Sequence, residues 1–531
     1  IRRKEKVKYI GLTIGPIDKT LALARKTREL WGASYLFSYM MKELIKRLLE
    51  KGIKKENIII PYALDLDNQQ YAYGAGIYPD RLIFRSNEGD LQKLIDTIDE
   101  VPRSISAKIA GHIKKDTQEV AEYIENYFHF HAVETEVKAD ENPILGISPS
   151  LETMDLEKKY IHQDDNAYLA QFLYQVNKSF IFQEAFKDPI TGDMHKERFE
   201  SLIEISTAEL KRHIPDAQWQ AIISKSFQKK KPEINEDTVI QEVKNALVQA
   251  KKEDLFKTCH KYTAIVRADG DNIRKLLETM GNDTDSLKQF SQHLKIFAQK
   301  ASEIIHQFGG TPVYVGGDDL LFFAPLIDTR TQDGVTTQTT IFDLIDNLDH
   351  EFKKYFDTIT LSFGVSITYY KFPLREALET AHYLLSRSAK DMRGKNAIAF
   401  RVLKHSGKTF GTTFKKDSDI YYQFKQLLRQ FSQFPGEVQY LNSIVYTTER
   451  YKYMLGYISK DLIKVTNFFK NAFDEKIHQT YEIFIETAAK LFFQIYNESP
   501  PGWGEEDKYN SFYAALRILH FLNRKDTEGQ P

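Results

Sequence analysis

Over residues 256–405 the hydrophobic and polar positions change period in a definite order. Lys261–Ala268 (KYTAIVRA) is a short apolar run that predicts a buried strand, ending at Asp269-Gly270-Asp271-Asn272. Over 286–308 the residues Leu287, Phe290, Leu294, Phe297, Ala301, Ile304 and Phe308 recur every three or four positions. That spacing predicts a helix with one apolar face, capped by Asp285 or Ser286 and stopped by Gly309, Gly310 and Pro312. Two strand-like runs follow between Val313 and Pro325, joined by Gly316-Gly317-Asp318-Asp319. A helix over about 338–355, a strand at Ile359–Thr368, a helix opened by Pro373 and a strand at Asn396–Leu403 complete the block. The order β, α, hairpin, α, β, α, β is satisfied by an antiparallel sheet with helices on one side.

The first 140 residues repeat this logic without the acidic turn. Lys8–Ile14 predicts a strand, Gly15-Pro16 a turn, and a long helix runs through Trp31 towards Glu50. Asn57–Tyr62 and Ile77–Arg85 predict two strands that pair, with only Asp65-Leu66-Asp67 between them. His129 and His131 alternate on one side of a strand, without partners at ligand spacing. The expected class is α+β, with two ferredoxin-like palm domains. Residues 1–144 form a degenerate first palm and 145–255 a mostly helical linker. Residues 256–405 form a catalytic palm and 406–531 a helical C-terminal domain. Lys229–Lys231 reads as a solvated surface run.

Composition narrows the options. The 531 residues hold 73 basic and 74 acidic side chains, for a net charge of −1. No overall basic field marks a free-standing nucleic-acid binder, so any such contact is local. A lone cysteine, Cys259, excludes an intrachain disulfide and a cysteine-rich zinc site, and fits a reducing cytoplasm. No run approaches the ~20 apolar residues of a membrane span, and the start lacks the apolar region of a signal peptide.

Adjacent acids at a hairpin tip repel one another and gain nothing obvious for folding. They become favourable when a divalent cation sits between them and a nucleotide's phosphates. Asp269 at a strand end and Asp318 on a neighbouring tip have the geometry to hold Mg²⁺ or Mn²⁺, with Asp319 as a third ligand or as the residue that orients the nucleophile. Gly270, Asp271 and Asn272 lead into a helix whose N–H groups can receive a triphosphate, while Gly316 and Gly317 let it approach closely. Downstream, Ala389–Asn396 (AKDMRGKN) supplies Lys390 as the first candidate for a phosphate contact and Lys395 as the second.

At these motifs the chain resembles the palm of GGDEF-type cyclases. Ile10 to Met40, GIYPDRLIF at 76–84 and SLIEISTAEL at 201–210 add a more specific likeness. Together they resemble the large subunit of type III-B CRISPR complexes, the Cas-ten family in its Cmr form. The resemblance implies an RNA-guided antiviral complex with other Cmr proteins, a guide RNA and a target RNA. Target pairing then triggers the palms to make a signalling nucleotide from ATP. The acceptor is a second ATP, giving cyclic oligoadenylate, or S-adenosylmethionine, giving an AMP conjugate; Asp65, Asp67 and Glu141 are acids available to a cationic acceptor. The sequence has no His-Asp dipeptide and too few cysteines for the family's zinc site, so neither HD nuclease activity nor zinc is expected. Two alternatives stand beside this reading, an inert scaffold of the RNA complex and a stand-alone GGDEF-like cyclase.

Overall fold

The computed structural model describes residues 6–64, 72–156, 167–188, 191–227, 233–332, 335–432, 438–471 and 475–526. Strands β1 (Lys6–Gly15), β2 (Ile58–Ile60), β3 (Arg81–Arg85) and β4 (His129–Lys138) form one antiparallel sheet in the order β2-β3-β1-β4. Ile10, Leu12 and Ile14 of β1 pack into the core shared with the helices Thr27–Glu50 and Asp90–Ile113. On the other face Gly11 admits the helix Pro143–Asp155, since a Cβ there would meet Ile147 Cδ1 at 2.8 Å. Both predicted strands flanking Asp65 are shorter than the sequence suggested. Pro61 and Pro79 lack the N–H that would extend the ladder. His129 and His131 are both buried on β4.

The second sheet is built from β5 (Tyr262–Asp271), β6 (Thr311–Gly316) and β7 (Asp319–Ala324), then, beyond a separate hairpin of β8 (Ile327–Gln332) and β9 (Val335–Thr340), from β10 (Thr360–Tyr369), β11 (Ala397–Leu403) and β12 (Thr409–Lys415). Its order is β12-β11-β10-β5-β7-β6. The sheet therefore runs beyond residue 405, where the sequence reading ended it. The predicted helix over 286–308 spans Thr284–Gln307, and its cap is Asp283, whose side chain accepts from the Asp285 N–H at 3.1 Å.

Helices cover both faces of this sheet, rather than the one face expected. Thr284–Gln307 and Ile341–Lys353 lie on one side, where Phe297 packs on Phe352 and Phe342 on Phe400. The helix Leu374–Leu384 crosses the other side, joining β10 to the parallel strand β11. Gly364 explains the close fit: a Cβ there would lie 2.3 Å from the Ala381 carbonyl oxygen and 2.4 Å from the Leu385 nitrogen. Beyond β12 the chain is helical. Its last helix, Glu505–Asn523, returns to the sheet through a 2.7 Å Thr412–Ser511 hydroxyl bond and an edge-on contact of Phe521 with Tyr262.

Candidate active site where two strands converge

The register of β5 against β7 pairs Ala268 with Leu320, so the end of β5 meets the β6–β7 turn. A Cβ on Gly270 would lie 2.6 Å from Asp318 Oδ2 and 2.9 Å from its Cβ. Glycine is what lets the strand and the acidic turn approach this closely. Gly317 has φ +82°, in the left-handed region, as the tight turn requires. Asp318 thus packs against the residue that follows Asp269.

Asp269 is half-buried and paired with Lys390, whose ammonium also donates to the Gly270 carbonyl at 3.2 Å. Carboxylate and carbonyl together form an oxygen nest already holding a cation. A π-helical turn, Leu385–Ala389, widens the end of the preceding helix and delivers Lys390. Gly394, Lys395 and Asn396, at φ +81°, +56° and +52°, then bend the chain into β11. Burial and then the Lys395 charge push the Lys390 ammonium down to about 8; the contact with Asp269 opposes them.

Asp318 and Asp319 are pushed upward. For Asp318 the cause is burial, aided by the Asp271 charge and resisted by backbone N–H groups of Asp318 and Gly270. Asp319 keeps solvent access, yet the protein mass around the tip is the main cause of a rise to about 7. Asp318, Asp80 and Asp18 add to that rise, and Arg267 opposes it.

Not every predicted site residue faces the turn. Asp271 is fully buried and accepts hydrogen bonds from Thr360 Oγ1 at 2.8 Å, from Ser362 Oγ and from the Asn396 N–H at 3.0 Å. Those bonds tie β5 to β10 and to the Lys390 loop, so its carboxylate serves the scaffold. Asn272 adopts φ +61° and starts the helix Ile273–Met280 without a side-chain cap. Glu141 sits exposed in the turn after β4 and does not line the cleft. Asp65 and Asp67 lie outside the described residues.

A cavity of about 440 Å³ opens between the sheets and is lined by Asp318 and Asp319 on one side and by Asp80 and Tyr78 on the other. Val315 N–H donates to the Gly76 carbonyl at 2.9 Å and fastens β6 to that wall. Sequence reasoning missed Asp80, although it lies within GIYPDRLIF, and missed Arg267, which bonds His382 Nδ1 at 2.9 Å. Only the folded sheet brings them near the turn. Among the described residues no three His, Cys, Asp or Glu side chains converge to ligate one ion by themselves. An ion here would draw on two carboxylates, backbone oxygen and ligand oxygens. Among the described residues no helix is long and apolar enough to cross a membrane.

Residues 262–399 match the family described as Cas10/Cmr2, second palm domain, and residues 9–126 match CRISPR-associated protein Cmr2, N-terminal. The chain is 30% identical over 219 residues to the CRISPR system Cmr subunit Cmr2 of Pyrococcus furiosus, covering 36% of this chain and 23% of that protein. The match thus spans about a quarter of that relative's length. Among solved structures, a chain of the type III-B Cmr-beta complex bound to cognate target RNA superposes with a TM-score of 0.55 at 11% identity, covering 99% of this chain and 84% of that one. A chain of the Csm1–Csm4 cassette in complex with AMPPNP superposes with a TM-score of 0.50 at 12% identity, over 98% and 70%. The two regions occur in order on one chain, which thus carries a Cmr2-type N-terminal domain followed by a second palm domain of the Cas10/Cmr2 type.

Proposed function

We propose that this chain is the large subunit of an RNA-guided type III-B complex and a nucleotidyltransferase that makes a signalling nucleotide from ATP. The observation that carries the reading is the close approach of the acidic turn to the end of β5, with Asp318 against Gly270 and Asp269 one residue away. The oxygen nest now filled by the Lys390 ammonium has the hard donors that Mg²⁺ or Mn²⁺ prefers. A divalent cation bound there would ease deprotonation of the attacking hydroxyl and offset charge on the departing pyrophosphate. Asp269 and Asp318 would hold it, and Lys390, displaced from Asp269, would be free to meet the phosphates. Asp319, beside Asp318 on the same cavity wall, would be a third ligand or orient the attacking hydroxyl.

The acceptor enters from the wall bearing Asp80 and Tyr78. A second ATP or S-adenosylmethionine fills this role, and Asp80 rather than Glu141 is the acid positioned to favour a cationic acceptor. Other Cmr subunits, guide RNA and target RNA are the partners, in line with the target-RNA-bound relative. Replacing Asp318 and Asp319 together by Ala should lower pyrophosphate release at least about 100-fold while target RNA binding persists; equal loss of both would assign the acids to assembly. Mass spectrometry of the product formed with ATP and S-adenosylmethionine identifies the acceptor. A product of adenylate units alone excludes the methionine-linked version, and synthesis persisting in EDTA excludes the metal.

A further inference from the structure

A second cavity, about 370 Å³, opens where the helix Thr27–Glu50 begins. No residue of the acidic turn lines it. Its walls come from three stretches: Arg25–Arg28, the helical region between 177 and 236, and Tyr370–Leu374. The RKTR run at its floor, Arg25 to Arg28, belongs to the most specific sequence motif in the chain, and the nucleotidyl-transfer site does not use it.

Cations dominate this cavity. Arg25, Lys26, Arg28, Arg198 and Lys371 face it, against the acids Glu233 and Glu236. Arg198 is neutralised by Glu204, and Lys371 by Asp237 at 2.6 Å. The run at the helix start is less completely paired. Lys26 stands at the cap position, and no side chain caps the 24-residue helix behind it. Arg28 is 8% exposed and uses its Nε on the Tyr174 carbonyl at 3.2 Å. Its Nη2 has no hydrogen-bond partner, and Glu29 Oε1 stands off at 3.6 Å. A buried guanidinium nitrogen left this way is costly. A helix start without a side-chain cap, beside a fork-shaped donor, suits a tetrahedral oxyanion. Beside it Phe227 presents a partly exposed ring, with the Arg198 guanidinium 5.2 Å from its centre, and a nucleobase can stack on such a ring.

We propose that this cavity binds the terminal phosphate of a nucleotide, free or at the end of an RNA, with Arg28 and the helix start on the phosphate and Phe227 against the base. Bound there, the ligand bridges the two sheet-bearing halves and the helical region between them, at a distance from the chemistry.

The test is calorimetric titration of the purified chain in EDTA with 5′-phosphorylated tetrauridylate, its 5′-hydroxyl counterpart and uridine 5′-monophosphate. The phosphorylated RNA should bind at least about tenfold tighter than the 5′-hydroxyl form. Arg28→Gln should remove that preference, and the Asp318→Ala, Asp319→Ala chain should keep it. Equal binding of monophosphate and phosphorylated RNA identifies a free nucleotide as the ligand; tighter binding of the RNA identifies an RNA end. If Arg28→Gln lowers the melting temperature, the accessible pair Arg25→Gln and Lys26→Gln replaces it. Equal affinity for phosphorylated and hydroxyl RNA, or full preference in a folded Arg28 or Arg25/Lys26 variant, overturns the proposal. Because every titration is metal-free, its outcome is separate from that of the nucleotidyl-transfer reading.

Discussion

One methyl group is enough to test the meeting of strand and turn. Gly270→Ala would place a Cβ 2.6 Å from Asp318 Oδ2 and 2.9 Å from Ile273 Cδ1. The turn must then retreat, and nucleotidyl transfer should fall at least about 100-fold, since small displacements of reacting groups cost that much. Pyrophosphate release read beside a melting curve separates this from unfolding. Asp271 gives the opposite expectation. Asp271→Asn replaces an acceptor of three hydrogen bonds with an amide that can donate into the same donors. Urea unfolding should show a loss of about 2 kcal/mol. The sequence marked Asp269, Asp318 and Asp319 as chemical because glycines and paired acids have no cheaper explanation in a turn. It could not separate Asp271 from them. Its partners Thr360, Ser362 and Asn396 lie roughly 90 to 125 positions further along the chain, where no spacing rule reaches.

At the level of elements, periodicity revealed the long apolar helices and the buried strands, and it missed what depends on both faces of a sheet. The alternation in β10 looked like a strand with one covered side. Gly364 marks where a helix backbone presses on the other. Gly364→Ala should destabilise the fold by about 3 kcal/mol or more, as overpacking of backbone against backbone does, with a drop in the urea midpoint as the measure. The β8–β9 hairpin escaped notice for the reverse reason. Its Thr and Gln residues carry little apolar alternation, and strand propensity alone is a weak signal. Lys390 was legible as a cation near phosphates. Its grip on Asp269 depends on the π-helical turn before it, a local insertion in the helix that composition does not announce.

Over the whole molecule, acid should lower stability across two pH windows. His520, buried in the last helix beside Arg517, Arg524 and Lys404, is pushed down to about 4, first by burial and then by those charges. Its folded pKa lies below the unfolded value, so the unfolded chain takes up the proton first. Stability is full above about 6.5 and falls as pH drops towards 4, by about 3 kcal/mol in total. Glu209 is held at about 2: burial would raise its carboxyl, but the His260 hydrogen bond and charge win. Its contribution is present above 4.5 and is lost as pH falls towards 2. Urea midpoints across pH 7 to 3 should trace both windows, and His520→Gln should flatten the upper one. The first half meets the edge strand β6 at Gly76. Without its neighbour, the ribbon carrying the acidic turn would display a bare row of amides and carbonyls, a template for self-addition. A fragment beginning at residue 256 should therefore scatter light as growing aggregates where the complete chain stays dispersed. The first half, seated against that edge at Gly76, would be what keeps the complete chain from sticking.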